Sequence, residues 1–361
     1  MTSRLLHYPG TKCQPLPTPH DIKNEFPLKS ELYTKIEGFR QEIIDILQKK
    51  TKKTLFIVGP CSIHDTTAAF EFARKLKKLS DYVSDTIALV MRVYCEKPRT
   101  VLGWKGLLYD PNLDNSNDIA KGIRMTRELM LEINRLGVAV GTEFLDPLTC
   151  HYYHDLVSWG CIGARTSSSQ IHRQFISGLS IPVGFKNSTD GNILNAVYGM
   201  NAANHAQCHI GLDDYGRACA MNTSGNPNTH LVLRGGERRP NFNRPSVAYA
   251  LELLATHKLP LRVLIDCSHD NSGKDHEQQP EVVEQVVEQI CQGNENILGL
   301  VLESYLNPGR QKHTSPSALK YGISITDGCM DWDTTEEIIL RAHARFSKSE
   351  AALSSTFASV D

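Results

Sequence analysis

"LFIVGPCSIHD", Leu55–Asp65, joins an apolar run rich in branched side chains to a Gly-Pro stop, a cysteine and a His-Asp pair. A short run without polar alternation reads as a strand buried on both faces of a parallel sheet. Gly59-Pro60 ends it, and Thr66-Thr67 can cap the helical pattern "AAFEFARKLKKL" that follows. Cys61 therefore falls just past the C-terminal end of a strand, where the chemistry of many α/β folds concentrates. Taken alone, the stretch favours an inert buried thiol, since free cysteine is among the most buried residue types.

Outward from this unit the same alternation recurs. Short apolar runs follow as "IALVMR", "VAVGTEF", "CIGAR", "IPVGFK", "HLVLRGG", "LRVLID" and "LGLVLES". Between them lie helical patterns such as "NDIAKGIRMTRELMLEINRLG", in which Ile119, Ile123, Met130 and Ile133 share a face. "SVAYALELLATHKLP", "PEVVEQVVEQICQG" and a final "TTEEIILRAHARF" read the same way. Strand and helix alternating eight times predicts an α/β chain folded as a (β/α)8 TIM barrel. A doubly wound sheet is the alternative, but no G-x-G-x-x-G opens the first helix. One stretch breaks the rhythm: "CHIGLDDYGRACAMNT" predicts a β-hairpin inserted before strand six, turning at Asp213-Asp214-Tyr215-Gly216. The expected organisation is an N-terminal extension over 1–52, a barrel over 53–348 with its hairpin at about 207–223, and a C-terminal tail over 349–361.

Bulk properties narrow the function classes. The chain has 361 residues, 40% hydrophobic and 22% charged, with a formal net charge of −1. No global field recruits nucleic acid or an anionic membrane. No apolar run is long enough to span a bilayer, and the opening residues lack a signal-peptide core. Ten cysteines are scattered without any C-x-x-C pair, which favours a reducing compartment and a cytoplasmic location.

The ends of the expected strands carry the chemistry. In order they deliver Cys61; Arg92 followed by Lys97-Pro98-Arg99-Thr100; Glu143; Arg165; Lys186; Arg234; Asp266 and His269; and Glu303, with Asp327 in the next loop. Any one of these has a bland reading as a solvated or capping residue. All eight strands delivering such groups to one rim points to a shared site. Arg92, Lys97, Arg99, Arg165, Lys186 and Arg234 would crowd one mouth with cations, so the ligand should be strongly anionic and phosphorylated. Cys61, His269, Glu303 and Asp327 form a mixed soft and hard donor set that suits a divalent first-row metal.

These motifs resemble the metal-dependent 3-deoxy-D-arabino-heptulosonate 7-phosphate (DAHP) synthases, in particular the class regulated by aromatic amino acids. The resemblance runs from about Thr18 onward through "GPCSIHD", "EKPRTVLGWKGLLYDP", "GARTSSSQIHR", "PVGFKNSTDG", "LRGG", "IDCSHDNS" and "SITDGCM". It implies that Cys61, His269, Glu303 and Asp327 ligate the metal, whether manganese, iron, cobalt or zinc. It implies a phosphoenolpyruvate site at Arg92, Lys97, Ala164, Arg165, Lys186 and Arg234, with Asp266 beside it. Lys97-Pro98-Arg99-Thr100 would grip erythrose 4-phosphate, Arg99 and Thr100 nearest its phosphate. The implied reaction is an aldol-like condensation. Lys97 and Lys186 act as proton donors or orienters, Cys61 and His269 act through the metal, and Glu143 orients the attacking water. An aromatic effector site would draw on the extension, the hairpin and the loop after Glu143, with candidates Pro147, Cys150, His151, Leu179 and Ser180. A homodimer or homotetramer is expected, and Ile43, Ile44, Ile46 and Leu47 fit either that contact or the barrel's own base.

Three departures from the family pattern stand out: Ser167 and Ser168 after the phosphate arginine, and Ser188 where a glycine is usual. A serine there would cost about 1 kcal/mol if the position held positive φ. Rival readings are a sister enzyme using arabinose 5-phosphate, a non-catalytic effector-binding barrel, and a nucleic-acid module. The Lys-Pro-Arg-Thr stretch, the intact ligand set and the near-neutral charge argue against them in turn.

Overall fold

Eight parallel strands close into a barrel in the order β1-β10-β9-β8-β5-β4-β3-β2. The structure is a computed structural model that describes residues 13–358 apart from 238 and 314. Residues 1–12 of the expected extension and 359–361 of the expected tail lie outside the described residues.

Two helices, α1 (Pro19–Glu25) and α2 (Ser30–Leu47), precede the barrel. The barrel then runs β1 (Thr54–Gly59), α3 (Thr66–Tyr82), β2 (Ile87–Arg92), α4 (Ile119–Leu136), β3 (Ala139–Glu143), β4 (Trp159–Ile162), α5 (Gln170–Ser177), β5 (Val183–Lys186) and α6 (Leu194–Ala203). The hairpin strands β6 (Cys208–Leu212) and β7 (Ala218–Asn222) interrupt it. It resumes with β8 (Thr229–Leu233), α7 (Arg244–Thr256), β9 (Val263–Asp266), α8 (Gln279–Cys291), β10 (Ile297–Glu303) and α9 (Trp332–Ala358). The last helix continues past residue 348, where the sequence pattern placed the end of the barrel. Among the described residues no helix is long and apolar enough to cross a membrane.

The strands lack alternation because both faces are buried. Leu55 and Ile57 point inward with Val90, Ala139, Trp159, Val232, Leu264 and Val301, while Phe56 and Val58 join the layer beneath the helices. Helix α2 closes the base of this inner core with Ile43, Ile46 and Leu47, each almost fully buried. That apolar set serves the barrel's own base, and Ile44 is left half-buried. Asp65, not Thr66 or Thr67, caps α3: its carboxylate accepts from the Thr67 and Ala68 amides.

The third crossover departs from the expected alternation. The fifteen residues between Glu143 and Trp159 form two short 3-10 turns, Thr149–Tyr152 and His154–Leu156, and no α-helix. Guanidinium groups from neighbouring helices satisfy the backbone there. Arg40 donates to the carbonyls of His154, Asp155 and Val157, and Arg127 to the Tyr152 carbonyl and the Asp155 carboxylate. The hairpin forms as expected, with Leu212 opposite Ala218 and Gly216 left-handed at its turn.

Inside the barrel, His230 accepts a hydrogen bond from the Trp159 indole at 3.0 Å. Burial drives its pKa down to about 3, whereas an unfolded histidine titrates near 6.5. The unfolded chain therefore takes up the proton first, so this contribution is intact above pH 6.5 and is lost as pH falls toward 3. His230→Gln, which keeps an acceptor, should flatten the acid loss of stability by up to roughly 1.4 kcal/mol per pH unit. Urea unfolding at pH 6.5 and 4.5 checks this, and equal slopes in both proteins would contradict it.

Candidate active site at the C-terminal mouth of the barrel

The strand ends converge on one cavity of about 340 Å³, walled by Arg92, Lys97, Arg165, Lys186 and Arg234 with Glu143, His269, Glu303 and Asp327. Pro98 and Ala164 also line it. Two glycines make the packing possible. A Cβ on Gly59 would lie 3.0 Å from the Arg92 carbonyl oxygen, and one on Gly163 would lie 2.1 Å from the Glu143 carboxylate.

The cations are more neutralised than the sequence reading anticipates. Arg92 meets Glu303 at 3.1 Å, Lys97 meets Asp327 at 2.9 Å, Lys186 meets Asp266 at 2.7 Å and Arg234 meets Asp270 at 2.5 Å. The first, third and fourth of these pairs are buried, where charges are tolerated only when paired in this way, while Asp327 is exposed. Arg165 has no carboxylate partner among the described residues and donates to the Thr100 hydroxyl at 3.0 Å. Arg92 stacks 4.0 Å over the Tyr94 ring and donates to the Pro60 carbonyl, yet its Nη1 is buried with no partner. A desolvated guanidinium nitrogen of this kind calls for an anionic acceptor in the cavity.

Cys61 lies behind this wall, fully buried, with Lys97 Nζ 2.7 Å and Asp327 Oδ2 3.3 Å from its sulfur. Cys61, Glu303 and Asp327 place ligand atoms within 4.8 Å of one another. Burial, then the nearby Glu303 carboxylate, pushes the Cys61 thiol up to about 12. The Lys97 ammonium holds Asp327 well below the usual carboxylate range. His269 Nδ1 lies 3.0 Å from Asp266 Oδ2 and 2.8 Å from the Ser268 hydroxyl, while its Nε2 faces Glu303 at 3.8 Å. A carboxylate behind one ring nitrogen fixes the tautomer and leaves the other free as a ligand. Cys61, Glu303 and Asp327 are grouped closely enough to share a divalent ion, a soft sulfur with two carboxylates and the Lys97 ammonium between two of them, whereas His269 stands outside that 4.8 Å group.

Other expected residues are placed elsewhere. Arg99 lines a neighbouring depression with Leu102 and Trp104 and does not line the main cavity, and Thr100 is exposed. Asp266 is buried behind Lys186 and His269 and acts through them. Ser188 does not have positive φ; Gly191 does, and the Ser188 hydroxyl donates to Asp190 and to the Asn192 carbonyl. The anticipated strain is therefore absent. Ser167 is buried with its hydroxyl unpartnered.

The effector candidates are divided between two places. Leu179 and Ser180 line a depression with Glu37, Arg40 and Ile44 of α2. Pro147 and His151 are half-buried in the segment after β3, His151 packing 6.1 Å from the Phe175 ring. Cys150 is fully buried and donates to the Asp146 carbonyl. Asp270, the partner of Arg234, was not anticipated, although it stands next to His269 in "SHDNS". Lys274, Gln279 and Glu237 also join the wall without a sequence signal. Glu96 was missed too. It is buried, accepts from Thr149 and Tyr153, and ties the segment leading to Lys97 to the loop after β3.

A sequence model of the DAHP synthetase I family matches residues 25–340. The chain is 44% identical over 334 residues to the Tyr-sensitive phospho-2-dehydro-3-deoxyheptonate aldolase of Escherichia coli K12, covering 92% of this chain and 94% of the relative. It is 43% identical over 328 residues to the Trp-sensitive enzyme of that organism, covering 91% and 94%. Among solved structures, the phospho-2-dehydro-3-deoxyheptonate aldolase of Francisella tularensis SCHU S4 superimposes with a TM-score of 0.91 at 38% identity, covering 93% of this chain and 98% of that one.

Proposed function

The chain belongs to the DAHP synthetase I family, and from that membership we propose that it condenses phosphoenolpyruvate with erythrose 4-phosphate at the barrel mouth, in a reaction that needs a divalent metal. The product is DAHP, an early intermediate of aromatic biosynthesis, and inorganic phosphate is released. One observation carries this reading: Arg92, Lys97, Arg165, Lys186 and Arg234 wall a single cavity lined also by His269, Glu303 and Asp327, with the Cys61 thiol buried directly behind Lys97 and Asp327.

Arg92, Arg165, Lys186 and Arg234 bind the carboxylate and phosphate of phosphoenolpyruvate, and the unpartnered Arg92 Nη1 supplies a donor at once. C3 of phosphoenolpyruvate forms a bond to the aldehyde carbon of the sugar phosphate, water adds at C2, and the C2–O bond to phosphate breaks. Cys61, His269, Glu303 and Asp327 would hold a divalent ion, which would supply Lewis-acid polarisation of the aldehyde oxygen. Lys97 Nζ, which stands beside those ligands, delivers a proton to the same oxygen as it becomes a hydroxyl. Glu143 faces the cavity and orients the water. Asp266 positions both Lys186 and His269. Because the Cys61 thiol is protonated in this arrangement, it gives up a proton on becoming a ligand.

The barrel over 53–348 is the catalytic unit in this reading, acting in the cytoplasm, and residues 1–52 with the hairpin serve assembly and regulation. The relatives named Tyr-sensitive and Trp-sensitive support an aromatic amino acid as effector. Mass spectrometry of the product tests the reaction: a seven-carbon sugar-acid phosphate, with one phosphate released per turnover, is expected. An eight-carbon product formed from arabinose 5-phosphate but not from the four-carbon sugar would overturn it.

A further inference from the structure

Arg234 and Asp270 are both buried in the wall of the main cavity. Arg234 Nη1 donates to Asp270 Oδ2 at 2.5 Å and to the Gly235 carbonyl at 3.2 Å. The other guanidinium nitrogens, Nε and Nη2, have no acceptor among the described residues, which leaves them for a ligand. Asp270 is likewise half engaged. Its Oδ1 receives no hydrogen bond among those residues, and a second cation, Lys274 Nζ, stands 3.7 Å from it on an exposed side chain. The other three carboxylates paired with cavity cations have tasks already. Glu303 and Asp327 belong to the metal set, and Asp266 positions His269. Asp270 has neither task.

Its place is fixed by the backbone. His269 takes a left-handed conformation, with φ of 57°, at the start of the turn that carries Asp270. The Asp270 amide then donates to the Arg234 carbonyl at 3.2 Å. Gly235 is left-handed too, and a Cβ on it would lie 2.7 Å from the Asp270 carbonyl carbon. The Asn271 side chain donates to the Leu233 and Asp266 carbonyls, and the Arg234 amide donates to the Asn187 side chain. Two chain segments are thus locked together, with the carboxylate held against the guanidinium. Such a carboxylate keeps a buried cation paired. It also sets a negative charge beside the nitrogens that a phosphate would approach, and like charges a few ångströms apart repel strongly away from bulk water.

We propose that Asp270 is a counter-charge built into the phosphate anchor. It holds Arg234 in place before substrate arrives and weakens the grip on bound phosphate, so that the inorganic phosphate released by the reaction leaves. This rests on the reading of Arg234 as an anchor for phosphoenolpyruvate and adds a residue that tunes its strength.

Inorganic phosphate is titrated by calorimetry into full-length, metal-loaded parent, Asp270→Asn, Asp270→Glu and Lys274→Ala. Asp270→Asn keeps the size of the side chain and removes its charge, so phosphate should bind about tenfold more tightly. Added phosphate should then compete with phosphoenolpyruvate at lower concentration, and KM for phosphoenolpyruvate should fall with no gain in kcat. Equal or weaker phosphate binding overturns the proposal, because a carboxylate that only orients Arg234 weakens binding when it is lost. Asp270→Glu keeps the charge and should stay within about twofold of the parent. Tightening there as well would reflect loosened packing and would overturn it too. Lys274 is exposed, so Lys274→Ala does not depend on the buried pair for its folding. It leaves the carboxylate less offset, and phosphate should bind about threefold more weakly; unchanged affinity would overturn the proposal. If the parent shows no turnover with either sugar phosphate, the condensation itself fails, and the phosphate titrations still decide the role of Asp270.

Discussion

Cys61→Ser should abolish turnover, with kcat falling at least ~1,000-fold at saturating metal, because metal-centred charge stabilisation worth several kcal/mol is lost at ~1.4 kcal/mol per tenfold. The thiol is fully buried between Lys97 and Asp327 and is the one soft donor of the set. A hydroxyl of nearly the same size fills the space, so the fold should survive while affinity for a first-row metal drops. Metal content after dialysis separates the two effects. The variant should retain a wild-type melting temperature in the absence of metal and lose its bound ion. Near-wild-type turnover with bound metal would mean that the sulfur is a bystander and that the bland reading of a buried cysteine was right.

Lys186→Met should be damaging in a different way. Lys186 and Asp266 are both buried and lie 2.7 Å apart. Removing the ammonium strands a carboxylate that lies at the centre of the site, a loss of about 3–5 kcal/mol for a broken buried pair. The lysine and His269 together overcome burial to hold Asp266 well below the usual carboxylate range. Without Lys186 only His269 and Ser268 remain, and His269 would be drawn out of position. Urea unfolding should show the stability loss, and turnover should fall by ~1,000-fold or more as one anchor and one positioned imidazole go together. Asp266→Asn in the same background should return part of the stability and none of the activity. A variant as stable as the parent would show that the pair is solvated and carries no structural weight.

Much of this molecule is legible in the sequence because a barrel turns strand order into a ring. Once "LFIVGPCSIHD" is read as a strand followed by a turn, every later strand end falls on the same rim. Cys61, Arg92, Glu143, Arg165, Lys186, Arg234, Asp266, His269 and Glu303 could therefore be named without coordinates. What escaped depends on side-chain reach and local geometry. Arg99 follows Lys97 by two residues, yet the chain turns between them and sends the guanidinium into the neighbouring depression. Asp270 pairs with Arg234 across thirty-six residues, a contact no local pattern encodes. The third crossover carries two 3-10 turns in place of a helix, and what holds them, the guanidinium groups of Arg40 and Arg127 reaching in from α2 and α4, comes from residues distant in sequence. Ser188 looked strained only because glycine is usual there; the left-handed residue of that loop is Gly191.

The most direct test of the account is phosphoenolpyruvate consumption by metal-stripped protein, with and without added divalent ion, offered erythrose 4-phosphate and arabinose 5-phosphate in parallel. Consumption that requires both the ion and the four-carbon sugar is the predicted result. Consumption with the five-carbon sugar alone, or none with either while the ion is demonstrably bound, would contradict it.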